Sequence, residues 1–145
     1  MKFLLILTIA LISKINPQDN HYMDISYNLA ELSERLGEYS EVIGYSNDAN
    51  HFILHAQVKY SEVRHIILSI NLMIILEPDI KESRQDWFKS LKVEYFNFWV
   101  SDLKYIKESL LNIKDMLNRE TFKKNIDQGI KNIDMIISEL KKDIK

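Results

Sequence analysis

Cysteine is absent from the 145 residues of this sequence, and glycine and proline are scarce. Without cysteine the chain has no disulfide, no thiolate nucleophile and no thiolate metal ligand. Three glycines and two prolines are too few for the many tight turns of a β-sandwich or β-barrel, so helices are favoured. The apolar fraction of 46% and the charged fraction of 28% are typical of a chain that packs a core rather than of a disordered one.

The sequence also lacks the motifs that mark catalytic and cofactor sites. It contains no G-x-S-x-G, no phosphate-binding glycine loop and no H-E-x-x-H. The formal net charge is −2, and no basic stretch has the character of a nucleic-acid interface. We therefore predict a non-enzymatic protein without a bound cofactor and without a nucleic-acid partner.

An apolar run from Phe3 to Ile12 follows a short positive start at the N-terminus. That order is typical of a secretory signal, although no A-x-A-like cleavage site follows it. The run is shorter than the roughly 18 to 20 residues that a transmembrane helix requires. Residues 1–17 are therefore predicted to be a signal-like hydrophobic segment of a protein exported to a periplasm, a cell surface or the extracellular fluid. Two alternatives remain open: a membrane-associated protein that retains the segment, or a cytoplasmic protein in which it is a buried helix.

Apolar residues spaced alternately three and four apart predict four amphipathic helices in a single domain, residues 18–145. The expected helices are, in order, 24–43, 51–77, 79–117 and 120–144. A straight third helix would be close to ~60 Å long, so a bend or break is expected near 97–102, where the apolar spacing slips. Four helices with short links predict an all-α fold, an up-down-up-down four-helix bundle.

The second helix changes character along its length. Its first half carries an apolar seam through Ile53 and Tyr60, whereas from Ile66 to Leu76 only Ser69 and Asn71 are polar. A helix that is apolar on nearly every side is expected in the interior. The second half of this helix is therefore predicted to lie in the middle of the bundle.

Four side chains on one stripe of the second helix are candidate metal ligands, namely His51, His55, Glu62 and His65. His51 and His55 are one turn apart and can share a metal ion. The stripe is about 200° around the helix from the apolar seam, and no third and fourth ligand is obvious, so solvated surface histidines are the favoured interpretation. Glu62 and His65 also match the Glu-x-x-His of di-iron bundles, but that site needs a second such pair, and no histidine follows His65.

Seven of the fifteen aromatic residues fall within nineteen residues of the predicted third helix. Phe88, Tyr95 and Trp99 follow helical spacing, whereas Phe96 is expected to lie between the apolar seams. A thick core over the second helix is the favoured interpretation. The alternative is a partner-binding surface that includes Phe96, Trp99 and Tyr105.

The sequence as a whole predicts an exported or surface-associated, non-enzymatic helical protein that binds another protein through a helical face. One alternative is a membrane-associated accessory protein that keeps residues 3–12 as its contact with the membrane. The other is a metal-binding helical bundle built around His51 and His55.

Overall fold

The structure, a computed structural model, describes residues 20–43 and 47–144, and it describes the side chains of residues 21–39 and 50–144. These residues form four α-helices and two short 3-10 turns and contain no β-strand, so the predicted all-α helical bundle is confirmed. The helices are α1 (Asn20–Ile43), α2 (Asn47–Leu76), α3 (Gln85–Met116) and α4 (Glu120–Asp143). The signal-like segment predicted at residues 1–17 lies outside the described residues.

Neighbouring helices run in opposite directions. Three pairs of helices are each joined by two hydrogen bonds. In each pair, the bond with the higher residue number on one helix has the lower residue number on the other, which is the order of antiparallel helices. The pairs are Gln57–Ser33 and Arg64–Ser26 between α2 and α1, Lys107–Asp134 and Lys114–Asp127 between α3 and α4, and Asn125–Leu32 and Asn132–Asn28 between α4 and α1. Helix α3 also packs along α2 and closes the ring.

The core is one continuous cluster to which every helix contributes its inward seam. On α2 and α4 most positions that the alternating apolar spacing selects are buried, and Ile136 is buried in addition. The selected positions that are buried are Ile53, Ala56, Tyr60, Val63, Ile67 and Ile70 on α2, and Phe122, Ile126, Ile130, Ile133, Ile137 and Leu140 on α4. Full burial of each large apolar side chain contributes about 1.5–3 kcal/mol, so these seams are the main source of the bundle's stability.

The connection between α2 and α3 is longer than predicted. Helix α2 ends at Leu76, and α3 begins at Gln85 rather than at residue 79. The intervening residues form two 3-10 turns, Glu77–Asp79 and Glu82–Arg84, joined through an extended Ile80. Pro78 lacks the N–H that the interior of an α-helix needs, so α2 does not continue through it. The polar stretch that follows Ile80 has no apolar side to bury, so α3 gains little stability by beginning before Gln85.

Helix α3 is continuous, and its buried side differs from the predicted one. No break occurs at residues 97–102. Phe96 is fully buried, whereas Tyr95 is 44% exposed, so the expectation that Phe96 lies between the seams is wrong. The buried series at the C-terminal half of α3 continues backwards in steps of three and four to Trp99 and Phe96. The spacing slips near Trp99 because Val100 beside it is buried as well, which widens the seam.

Candidate functional site

Exposed apolar side chains are concentrated on two of the four helices. Fourteen large hydrophobic side chains of the described residues are exposed, and twelve of them belong to α2 and α3. Ten of these form the apolar outer surface of the two helices, to which we refer as the α2–α3 face: Leu54, Val58, Leu68, Leu72 and Leu76 on α2, and Trp87, Tyr95, Phe98, Tyr105 and Met116 on α3. On α2, the leucines at 54, 68 and 72 lie nearer to the side of Gln57 and Arg64, which bind α1, than to the side of Lys59, which contacts α3. The remaining two, Val93 and Leu111, lie on the side of α3 whose lysines bind α4.

The α2 part of the face follows the helix on the side turned away from the core. Leu54, Val58, Leu68 and Leu72 are 58, 48, 55 and 41% exposed. At 3.6 residues per turn, their mean direction is roughly 150° from that of the buried seam. A helix in a ring of four always keeps one outer side, so the prediction that residues 66–76 lie in the middle of the bundle is wrong for that side. Helix α2 is apolar on both its inner and its outer side.

Aromatic side chains of α3 form the second part of the face. Trp87, Phe98 and Tyr105 are 61, 60 and 67% exposed. Their spacing is close to whole numbers of helical turns, so they lie along one line of α3. The Nζ atom of Lys59 on α2 is 5.7 Å from the centre of the Tyr105 ring, a cation–π distance. This contact places the aromatic line on the α2 side of α3.

The outer sides of α1 and α4 are polar by comparison. In the described part of the chain, each of these helices has a single large exposed hydrophobic side chain, Tyr27 and Met135 respectively. The exposed charged residues are Asp24, Glu31, Glu34, Arg35 and Glu38 on α1, and Glu120, Lys124, Lys131, Asp134, Lys141, Lys142 and Asp143 on α4. The outer sides of α1 and α4 are therefore charged with little apolar surface, whereas on α3 exposed charged residues, among them Glu94, Lys104 and Glu108, stand beside the exposed apolar ones.

A cleft of about 420 Å³ lies at the end of the bundle where α2 turns towards α3. It is lined by Ile74, Glu77, Pro78, Ile80, Gln85, Phe88 and Lys89. Its carboxylate, Glu77, accepts a hydrogen bond from Lys92 Nζ at 2.8 Å. The lining is mainly apolar, so the cleft extends the apolar surface near Leu76 and Trp87 and has no arrangement of acid, base and nucleophile.

The candidate metal ligands are brought together only in part. The rings of His51 and His55 have centres 4.4 Å apart, and both side chains are exposed. Glu62 instead binds Lys59 Nζ at 2.8 Å, and His65 is exposed further along the helix. Within residues 20–43 and 47–144, no group of three or more His, Cys, Asp or Glu residues is placed to hold a metal ion.

The three aromatic residues named as candidate partner contacts are in different environments. Phe96 is fully buried and Trp99 is 8% exposed, with ring centres 5.7 Å apart. Both rings pack inside the bundle, so Phe96 and Trp99 present little or no surface to a partner. Tyr105 alone of the three lies on the α2–α3 face.

A buried polar contact joins α1, α2 and α4. Tyr60 Oη donates to Asn125 Oδ1 at 3.0 Å, and Asn125 Nδ2 donates to the carbonyl oxygen of Leu32 at 2.9 Å. Burial, and to a lesser extent the charge of Asp127, raises the pKa of Tyr60 above its usual value, so the hydroxyl keeps its proton and remains a donor. A Cβ atom at Gly129 would lie 2.4 Å from the Tyr60 ring, so this ring rests directly on the α4 backbone. The contact is closed to solvent and is structural.

Sequence reasoning missed the outer side of α2. Leu54, Val58, Leu68 and Leu72 belong to a second series with alternating steps of four and three, continued through Ser61 and His65. Two such series on one helix indicate two packing sides. Counting the second series separately from the inward one would have identified these residues.

None of the helices that the structure describes combines the length and apolar content needed to cross a bilayer. No protein-family model matches the chain, and no curated protein and no solved structure matches it either.

Proposed function

We propose that this chain is an exported or surface-associated, non-enzymatic helical protein that binds another protein through its α2–α3 face. The observation that carries the proposal is the concentration of exposed apolar side chains there: of the fourteen large exposed hydrophobic side chains in the described residues, ten belong to this face. Exposed apolar surface in excess of scattered single side chains is typical of interaction sites, and aromatic residues are enriched in them. The polar outer sides of α1 and α4 favour this face over the rest of the bundle.

Photocross-linking in cells that express the full chain tests the binding surface. The photoreactive residue p-benzoylphenylalanine replaces Phe98, which is 60% exposed on the α2–α3 face. In a matched variant it replaces the exposed Lys131 on the outer side of α4. We expect a light-dependent adduct from position 98 and none from position 131. The adduct is expected to disappear when Leu68→Glu is added to the first variant.

Two results would refute the proposed binding surface. One is the absence of an adduct from position 98. The other is the same adduct from both positions, which would mean that contact is not confined to the α2–α3 face. Both variants must first show the urea unfolding midpoint of the unmodified protein, because a shifted midpoint would indicate altered packing.

The export proposal is supported by the apolar stretch that follows a positive start within residues 1–17. Cell fractionation with intact-mass measurement tests it. A protein that lacks roughly the first 13 to 20 residues in an exported fraction would support a processed signal. A full-length mass in the membrane fraction would favour the accessory protein that retains the segment. A full-length mass in soluble cytosol would contradict export.

A further inference from the structure

His51 and His55 are the two candidate metal ligands that the structure brings together. Their ring centres are 4.4 Å apart, and the ring planes are inclined by 55°. Both side chains are exposed, and neither imidazole has a hydrogen bond or an ion pair within the part of the chain that the structure describes. The ring nitrogens of both residues are therefore available to an ion from solvent.

The separation of the two rings fits coordination of one ion at a right angle. A metal–nitrogen bond is about 2.0–2.1 Å long and a ring nitrogen lies roughly 1.1 Å from its ring centre, so imidazoles at a right angle have ring centres about 4.4–4.5 Å apart. At the tetrahedral angle the centres would be about 5.1–5.2 Å apart. The observed 4.4 Å matches the right angle. Nitrogen ligands at right angles are typical of Cu²⁺ and Ni²⁺, whereas Zn²⁺ prefers a tetrahedron.

The backbone that carries the pair is fixed by the core. Residues four apart on an α-helix lie one above the other on the same side, which is the arrangement of His51 and His55 on α2. Ile53 and Ala56, on the inner side of the same turns, are 2% and 0% exposed. Binding of an ion therefore requires rotation of two exposed side chains and no movement of the main chain. A preformed pair of ligands lowers the free-energy cost of binding.

The charges near the pair oppose a cation only weakly. Lys59 follows His55 by one turn, but its ammonium binds Glu62 at 2.8 Å. The same ammonium lies 5.7 Å from the centre of the Tyr105 ring, so it is held on the side of α2 that faces α3. The positive end of the helix dipole acts mainly within the first turn of α2, residues 47–50, and both histidines follow that turn.

We infer that His51 and His55 form an open two-ligand site for a divalent transition-metal ion, with Cu²⁺ preferred over Ni²⁺ and Zn²⁺. Cu²⁺ combines the matching geometry with the highest affinity of the first-row divalent ions for such ligands. Within residues 20–43 and 47–144 no third His, Cys, Asp or Glu joins the pair, so the other positions of the ion are open to water or to another molecule. The site goes beyond the proposed function and does not depend on it, because neither histidine belongs to the α2–α3 face.

Titration calorimetry of the full chain with CuCl₂, with glycine as a weak competitor, tests the site. We expect one Cu²⁺ ion per chain at this site. His51→Ala and His55→Ala should each lower the affinity at least about tenfold, because loss of even an outer hydrogen-bond partner of a metal ligand costs about 10–100-fold. His65→Ala is the matched control, since His65 is exposed on the same helix and has no histidine one turn away. Unchanged affinity in the first two variants, or an equal loss in all three, would overturn the inference.

A histidine moved along the helix tests the spacing. His55→Ala combined with Val58→His keeps the number of histidines, but positions 51 and 58 are about 10 Å apart along the helix axis and cannot share an ion. We expect this double variant to bind Cu²⁺ as weakly as His55→Ala does. Affinity restored to that of the unmodified protein would contradict the one-turn pair. Each replaced side chain is exposed, so the variants should keep the urea midpoint of the unmodified protein.

Electron paramagnetic resonance and a comparison of metals test the coordination. The Cu²⁺ complex should give a tetragonal spectrum with hyperfine coupling to two imidazole nitrogens, and His51→Ala should leave one. NiCl₂ and ZnCl₂ should bind more weakly than CuCl₂. Coupling to a single nitrogen in the unmodified protein, or ZnCl₂ binding as tightly as CuCl₂, would refute the assignment.

Discussion

Replacing Gly129 with alanine tests how closely α4 approaches the Tyr60 ring. In an exposed helix the change from glycine to alanine stabilises by about 1 kcal/mol. At position 129 the new Cβ would lie 2.4 to 2.7 Å from three atoms of Tyr60, whose side chain is fully buried and hydrogen-bonded to Asn125. Overpacking of this kind costs about 1–3 kcal/mol, and turning the ring away would also break its hydrogen bond, at about 1–3 kcal/mol. We expect a net loss of about 2 kcal/mol in the free energy of unfolding.

Urea unfolding followed by circular dichroism measures this loss. With a slope of about 1–3 kcal/mol per molar urea, the midpoint should fall by about 1 M. All variants must be compared at one protein concentration, because self-association would make the midpoint depend on it. In a Tyr60→Leu background the cost of Gly129→Ala should shrink, since the ring that meets the new methyl group is gone.

Gly37→Ala is the matched control on α1. There the new Cβ would meet only Gln57 Nε2 at 3.2 Å, at the end of a flexible side chain. We expect this change to be neutral or to stabilise by up to about 1 kcal/mol. The reasoning is refuted if Gly129→Ala leaves the midpoint unchanged or raises it as Gly37→Ala does.

Three further predictions concern buried polar groups. Tyr60→Phe should lower the free energy of unfolding by about 1–3 kcal/mol in the same urea assay, because the buried Asn125 Oδ1 loses its donor. Burial raises the pKa values of Tyr60 and Tyr22, so above pH 10 the folded chain keeps protons that the unfolded chain releases, and stability should fall as pH rises. Urea unfolding between pH 9 and 11 should show a shallower fall in Tyr60→Phe; an equal fall would contradict this cause. Asn71→Leu should stabilise by up to about 1 kcal/mol, because it removes a buried Oδ1 atom without a hydrogen-bond partner and loses only the bond from Nδ2 to Met23 Sδ, a weak acceptor; a lower urea midpoint would oppose it.

Sequence periodicity predicted those parts of the fold in which one side of a helix decides burial. On α4, apolar residues spaced three and four apart leave a polar outer side, so the pattern from Phe122 to Leu140 has a single interpretation. On α3 the apolar and aromatic residues are too dense for this. Tyr95, Phe96, Phe98 and Trp99 permit two phases, and only the continuation towards Leu103 selects the one in which Phe96 is buried.

The candidate site was less accessible to sequence reasoning for two physical reasons. Apolar residues on both sides of α2 suggested a central helix, because the sequence does not state how many neighbours a helix has. The contact of Tyr60 with Asn125 joins residues 65 positions apart, and local spacing carries no information about such a pair. The exposure of Tyr105 and the burial of Trp99 likewise depend on where α2 lies relative to α3.

The contact of Tyr60 with Asn125 and Gly129 has a consequence for the rotational setting of α2. A helix with apolar residues on both sides can turn about its own axis and still cover a core with leucine, valine or isoleucine. The setting with the outer series turned inwards would also bury Ser61 and His65, so hydrophobic burial already disfavours it. Of the two settings, only the observed one lays the Tyr60 ring on the bare backbone at Gly129 and its hydroxyl on Asn125. The buried contact therefore helps to fix which side of α2 remains outside, and thereby which apolar side chains are available to the binding that we propose.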